Sequence, residues 1–147
     1  MATGSVYAAK VNLKALLEAW AWTGTPPAIA WGGPTEQEDM TLDAIYFGGM
    51  PRFNTVFRLL GASRSDEEFT LQIVVDVRRY GDDEQSTEQR AIELHYEILT
   101  LLQANMTLNG AVNRITGYAV APATGFTPQS WRSTVVIDVS CVGFINY

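Results

Sequence analysis

Residues 67–103, EEFTLQIVVDVRRYGDDEQSTEQRAIELHYEILTLLQ, decide the fold. Phe69, Leu71, Ile73, Val75 and Val77 alternate with Thr70, Gln72, Asp76 and Arg78, which is the period of a strand with one buried face. Gly81-Asp82-Asp83-Glu84 stops that strand. Ser86, followed three residues later by Gln89, has the spacing of a capping box. Thr87 and Glu88 add an acceptor and negative charge where a helix N-terminus favours both. A helix is therefore expected from Glu88 to Leu102. A long alternating strand running through an acidic turn into a capped amphipathic helix is a scaffold signal, and no chemical signal of similar strength occurs elsewhere in the chain.

N-terminal to this stretch, Leu13, Leu16, Leu17 and Trp20 recur at helical spacing behind Ser5, with Lys10, Lys14 and Glu18 expected outside. Thr23-Gly24-Thr25-Pro26-Pro27 ends that helix. Short strands are expected at Ala28–Trp31 and Asp43–Phe47, separated by Gly32-Gly33-Pro34 and an acidic loop with Glu36, Glu38 and Asp39. After the turn Gly48-Gly49-Met50-Pro51, a strand over Phe53–Leu60 and a polar connector over Gly61–Asp66 lead into the long strand. C-terminal to the second helix, Asn105–Gly110 is an exit and Val112–Ala121 a strand closed by Pro122. Ala123–Gln129 reads as a loop. In the last element, Trp131–Phe144, the residues Val135, Ile137, Val139 and Cys141 share one face and Thr134, Val136, Asp138 and Ser140 the other.

Two helices among many strands joined by short turns predict an α+β fold: a mainly antiparallel sheet with both principal helices packed on one side. The 147 residues suit a single domain over 1–147, large enough to bury roughly 70% of its unfolded surface. The long central strand and the C-terminal one each run about twice the ordinary ~5 to 6 residues, and strands that outrun their own domain often pair with a neighbour.

A net charge of −6 with only 10 basic residues argues against tight binding to nucleic acid or anionic lipid. One cysteine, an N-terminus without the pattern of a signal peptide and apolar runs far short of the ~20 residues of a membrane span predict a soluble cytoplasmic protein. Charged residues make up 18% of the chain against the ~25% usual in globular domains, and four Trp, six Tyr and six Phe are present. Eight of the 10 cations are Arg, the side chain suited to planar ion pairs between subunits. These features favour a surface partly covered by other chains.

Candidate chemical residues each have a plainer role. Asp82, Asp83 and Glu84 lack the spaced ligands of a calcium loop and suit a helix start. His95, the single histidine, lies near the Ile92, Leu99, Leu102 stripe and is expected to be packed or interfacial. Cys141 alternates with core residues and is expected to act as a small hydrophobe. Gly32-Gly33-Pro34-Thr35 and Gly48-Gly49-Met50-Pro51 lack the Lys-Ser/Thr of a phosphate loop. Asn105-Met106-Thr107 matches a glycosylation acceptor but reads as a helix exit. Ser63, Ser65 and Ser133 lack a nucleophile-elbow context. Trp20, Trp22, Trp31, Tyr46 and Phe47 are candidates for an apolar pocket. No residue is assigned a catalytic, cofactor-binding or metal-binding role, no cofactor is expected, and the chain is not expected to be an enzyme.

The Leu- and Trp-rich first helix, Ala28-Ile29-Ala30-Trp31-Gly32, the Phe69–Arg79 strand, the Glu88–Leu102 helix and a closing strand ending Gly143-Phe144-Ile145 together resemble the tail terminator proteins of long-tailed bacteriophages. The resemblance spans nearly the whole chain and is one of element order and texture. It implies a structural virion protein at the head-proximal end of the tail, assembled in the host cytoplasm. Such a protein forms a hexameric homo-oligomeric ring that caps the tail tube protein, stops tube growth and meets a head-tail connector protein. DNA passes through the ring without specific binding, and no membrane is involved. On this reading copies join head to tail, with Arg52, Arg58 or Arg79 meeting acids of the next copy. The alternatives are another head-tail connector, neck or minor tail protein, or a module binding a small ligand.

Overall fold

Two strands of 17 residues, β5 (Arg64–Tyr80) and β7 (Ser130–Asn146), pair antiparallel along their whole length, from Arg64 opposite Asn146 to Tyr80 opposite Ser130. The computed structural model describes residues 3–33, 42–56, 64–80, 84–127 and 130–146. Around the central pair, β3 (Leu42–Phe47) and β4 (Arg52–Val56) lie in tandem along the free side of β5, opposite residues 73–78 and 66–70 respectively. β6 (Arg114–Thr127) and the short β1 (Thr3–Gly4) lie in tandem along β7. β2 (Ala28–Ala30) extends the sheet beyond β3 and is the one parallel pairing among the described residues. Gly48 N–H donates to Gln72 O at 2.9 Å as the chain passes from β3 to β4, and a Cβ at Gly48 would collide with the Gln72 side chain. A side chain at position 48 would have to displace the exposed Gln72 side chain.

Helices α1 (Val6–Ala19) and α2 (Glu84–Ala104) cover one face. Ala9, Leu13 and Leu17 of α1 and Ala91, Leu94, Ile98 and Leu101 of α2 pack on Ile45, Leu71, Ile73, Val75, Val77, Ile137 and Val139 of the sheet. Fully burying each such Leu or Ile side chain stabilises the fold by about 1.5–3 kcal/mol relative to exposure. The molecule is thus α+β, with a mainly antiparallel sheet and both helices on one side, as the alternation in β5 and β7 predicts. No helix among the described residues is long and apolar enough to cross a membrane.

Several local expectations are corrected. Ser5 occupies the N-cap position of α1, but its hydroxyl makes no capping bond. It accepts the Phe144 N–H at 2.9 Å instead, tying α1 to β7. Trp20 follows the helix in extended conformation rather than completing its stripe, and Lys10 is buried where an outside position is expected. Because α2 starts at Glu84, Ser86 and Gln89 lie inside the helix rather than at its N-cap, and Gln89 Nε2 donates to Glu93 Oε1 at 3.0 Å.

The connector and loop assignments also change. Arg64–Asp66 belong to β5, and Ala123–Thr127 belong to β6, so Pro122 lies inside a strand. Proline is tolerated there because β6 pairs on one side only, so an amide pointing outward is not needed. The helix exit holds its place: Leu108 and Asn109 have φ of 48° and 56°, followed by Gly110 at 83°. Left-handed backbone is costly for leucine. Leu108 is fully buried, and its carbonyl accepts Asn12 Nδ2 at 2.9 Å, which holds the turn against α1. The acidic loop at Glu36, Glu38 and Asp39, and Ser63, Asp82 and Asp83, lie outside the described residues.

Candidate interaction surfaces

β6 is a sheet edge that no further strand among the described residues takes, although at its start Ile115 N–H donates to Met106 O at 2.9 Å. Between Ile115 and Thr127 it carries no charged residue, and every residue from Ala119 to Phe126 is exposed. Its inner edge pairs with β7, while no strand among the described residues takes its outer edge. A row of free backbone donors and acceptors on a long uncharged strand is a template for pairing with another chain. Pro122 and a register shift between Ile115 and Gly117 interrupt that row without adding charge to it. Near the end of the hairpin Phe126 packs on Trp131, ring centroids 5.0 Å apart, and remains 56% exposed.

On the opposite flank no strand among the described residues pairs with the outer edges of β4 and β2. Successive pairings fix the chain directions: β6 runs with β5, whereas β4, β3 and β2 run against it. β6 of one molecule laid beside β4 of an identically oriented neighbour is therefore an antiparallel pair.

The sheet face away from the helices carries a buried ion cluster. Asp76 has no exposed surface; it accepts from Arg78 Nε and Nη2 at 3.3 and 3.1 Å and from Arg132 Nε and Nη2 at 3.1 and 2.9 Å. Tyr46 Oη donates to the same carboxylate at 3.3 Å, and burial is the first cause raising the Tyr46 pKa. Next to this cluster Val74 stands opposite Val136, and beyond them Gln72 Nε2 donates to Asp138 Oδ1 at 3.2 Å.

An apolar cleft of about 850 Å³ opens between the start of α1, the end of β3 and the Gly48–Pro51 turn. Trp31 stands at its centre, edge-on to Phe47 at 5.6 Å and tilted against Tyr7 at 6.0 Å. Lys10 is buried in the wall, with Nζ 4.2 Å from the Trp31 ring centroid and 5.0 Å from that of Phe47. It donates to Gly49 O at 3.3 Å. Burial holds its ammonium below the ordinary lysine pKa. Tyr7 and Met50 form the rim, 73% and 88% exposed.

Of the five aromatics that sequence nominates for a pocket, Trp31, Tyr46 and Phe47 line this cleft, whereas Trp20 and Trp22 pack against the core. Trp22 Nε1 donates to Leu17 O at 3.0 Å. The sequence reading does not nominate Lys10, Tyr7 or Met50, which also line the cleft. The spacing Val6, Lys10, Leu13, Leu17 was the available signal, because it places Lys10 on the buried stripe.

His95 packs between Tyr96 and Tyr118, with Nδ1 2.7 Å from Tyr118 Oη, and burial lowers its pKa. Burial pushes the Cys141 thiol up to about 12. Arg79, nominated for contact with a neighbouring copy, binds Asp43 of its own chain at 2.6 Å, and Arg90 holds the second oxygen of that carboxylate at 3.0 Å. Arg58 lies outside the described residues. Arg52 and Arg114 are exposed and, among the described residues, have no ion pair. Ser65 and Ser133 are buried in β5 and β7. No cluster of three metal-ligating side chains occurs among the described residues. No family model matches the chain, and no curated protein is detectably similar to it in sequence.

Proposed function

We propose that this protein is a structural virion component that closes into a ring on the end of a long-tailed bacteriophage tail tube. There it ends tube growth and provides the surface to which the head is joined. The observation that carries this reading is the uncharged edge of β6, which no strand among the described residues takes, set against edges of opposite chain direction on β4 and β2 that no described strand takes either. Two different edges at opposite flanks of one chain make a heterologous contact, which gives a closed ring when the rotation between copies closes. No bond is made or broken. Growth stops because the outer ring face lacks a surface on which another tube ring can add.

On this reading the helix-free sheet face lines the passage for DNA. Asp76 engages Arg78 and Arg132 on it, and the exposed Arg52 and Arg114 stand on the same face beside Glu68, so acids lie next to its cations. Exposed Arg52 and Arg114 are the described cations free to meet acids of a neighbouring copy.

The test is to add the purified protein to growing tail tubes and measure tube length and end structure by electron microscopy. Capped tubes of arrested length are expected. Unchanged growth with no density at the ends contradicts the proposal. Binding at a different position along the particle points to a connector or minor tail protein instead.

A further inference from the structure

We infer that the aromatic cleft around Lys10 receives the α2 flank of a second copy of this chain, with Ile92 and Tyr96 entering the cleft and Glu88 facing the Lys10 ammonium. This rests on the reading that copies join flank to flank.

The cleft belongs to the flank that carries β2 and β4, since it is built from α1, the end of β3 and the turn into β4. The two long edges of α2 face different ways. Arg90 and Glu97 reach toward β3 and the segment after α1, through Asp43 and the Thr23 backbone. His95 instead meets Tyr118 of β6. Glu88, Ile92 and Leu99 follow at helical spacing on the β6 side of α2, and Tyr96 continues the row onto the outer face of the helix, its ring 5.0 Å from that of His95. Ile92 is 49% exposed and Tyr96 61%, so this edge is an apolar stripe with a carboxylate one turn before it. A head-to-tail contact that brings β6 of one copy beside β4 of the next brings this stripe toward the neighbour's cleft.

The chemistry of the two surfaces matches. Lys10 is a buried cation held by two ring faces and one carbonyl, with no carboxylate partner among the described residues. Glu88 is an exposed carboxylate with no ion pair among the described residues. A cation already partly stripped of water gains more from an arriving carboxylate than a solvated one does. Tyrosine entering a cleft walled by Trp31 and Phe47 supplies the large rigid contact area that concentrates binding energy at interfaces. The open rim and the adaptable Met50 suit a protein surface better than a small molecule, which is ordinarily enclosed and held by several convergent polar groups.

The experiment measures the concentration dependence of assembly for the full chain and for Tyr96→Ser, Glu88→Gln, Lys10→Met and the double variant Lys10→Met/Glu88→Gln, with circular dichroism as the fold control. Tyr96→Ser is expected to raise the half-dissociation concentration about tenfold or more. Lys10→Met and Glu88→Gln should each raise it several-fold, and together no further than the larger single effect, because both remove one interaction. Tyr96 and Glu88 are exposed, so their variants fold even if Lys10→Met does not. If rings form and Tyr96→Ser and Glu88→Gln dissociate like the parent, the inference is overturned while the ring reading stands. Additive effects of Lys10 and Glu88 overturn their pairing. Rings that stay intact in these variants but no longer bind tubes would mean that the cleft serves another protein, which also overturns it. A parent chain that never associates overturns both this inference and the ring.

Discussion

Arg78 and Arg132 stand directly opposite each other in the β5–β7 ladder, and both guanidiniums bond the one carboxylate of Asp76. Like charges directly across a ladder repel. Asp76 reverses that relation and lets Arg78 lie with 6% of its side chain exposed. Removing one member of a buried ion cluster leaves uncompensated charge. Asp76→Asn is therefore expected to destabilise the fold by about 3 kcal/mol or more. Arg132→Ala should destabilise it by about 1 kcal/mol, since 38% of that side chain is exposed. Chemical denaturation of the two variants checks the order; equal effects would mean that the cluster does not act as described.

Glu67 is buried beside Gly4, and its Oε2 accepts the Ser5 N–H at 3.3 Å. Burial raises its pKa above 4.5 against the opposing pull of that hydrogen bond. The folded chain thus holds the Glu67 proton more tightly than the unfolded chain does. Its contribution is fully present below pH 4.5 and is lost as pH rises through the raised value. Glu67→Gln keeps an acceptor for Ser5 and removes the charge, so the variant should gain stability relative to the parent as pH rises toward neutral. Urea midpoints of both proteins across that range test the sign.

The opposite sign applies to His95. Burial lowers its pKa below 6.5, so protonation favours the unfolded chain, and the contribution present above 6.5 is lost as pH falls through the lowered value. Tyr118→Phe removes the hydroxyl beside Nδ1 and is expected to cost about 1 kcal/mol at neutral pH. Thermal unfolding of the parent and of His95→Gln should converge or cross on acidification, and parallel curves would contradict this role.

Cys141 is 2% exposed and its thiol is pushed up to about 12. The folded protein should leave an aromatic disulfide reagent unreacted at mildly alkaline pH, and denaturant should release one thiol per chain. Rapid reaction in the folded state would place Cys141 outside the core.

Much of this architecture is legible in the chain because β5 and β7 bury one face each, so Phe69 to Val77 and Val135 to Cys141 alternate with period two. β6 is not legible in the same way. Its Gly, Ala, Thr and Pro122 pack little on either face, and an edge strand accepts the proline that marks a strand end elsewhere. Ser86 resembles a cap because sequence spacing cannot tell N-cap from helix interior, and Glu84 begins the helix earlier. The role of Asp76 depends on Arg132, 56 positions away, so alternation alone reads it as a solvated side chain. The aromatic cleft is half legible: Trp31, Tyr46 and Phe47 announce it, whereas Lys10 is a charged residue on a stripe otherwise apolar.

The central claim is that copies of this chain join through unlike flanks into a closed ring. The most direct measurement is the mass of the purified protein in solution across the micromolar range, by light scattering behind size exclusion. The account predicts a discrete particle with the mass of a hexamer of 16.2 kDa chains. Replacing Val120, on the free edge of β6, with lysine should shift that particle toward monomer while the fold is kept. A 16.2 kDa species at every concentration would contradict the account.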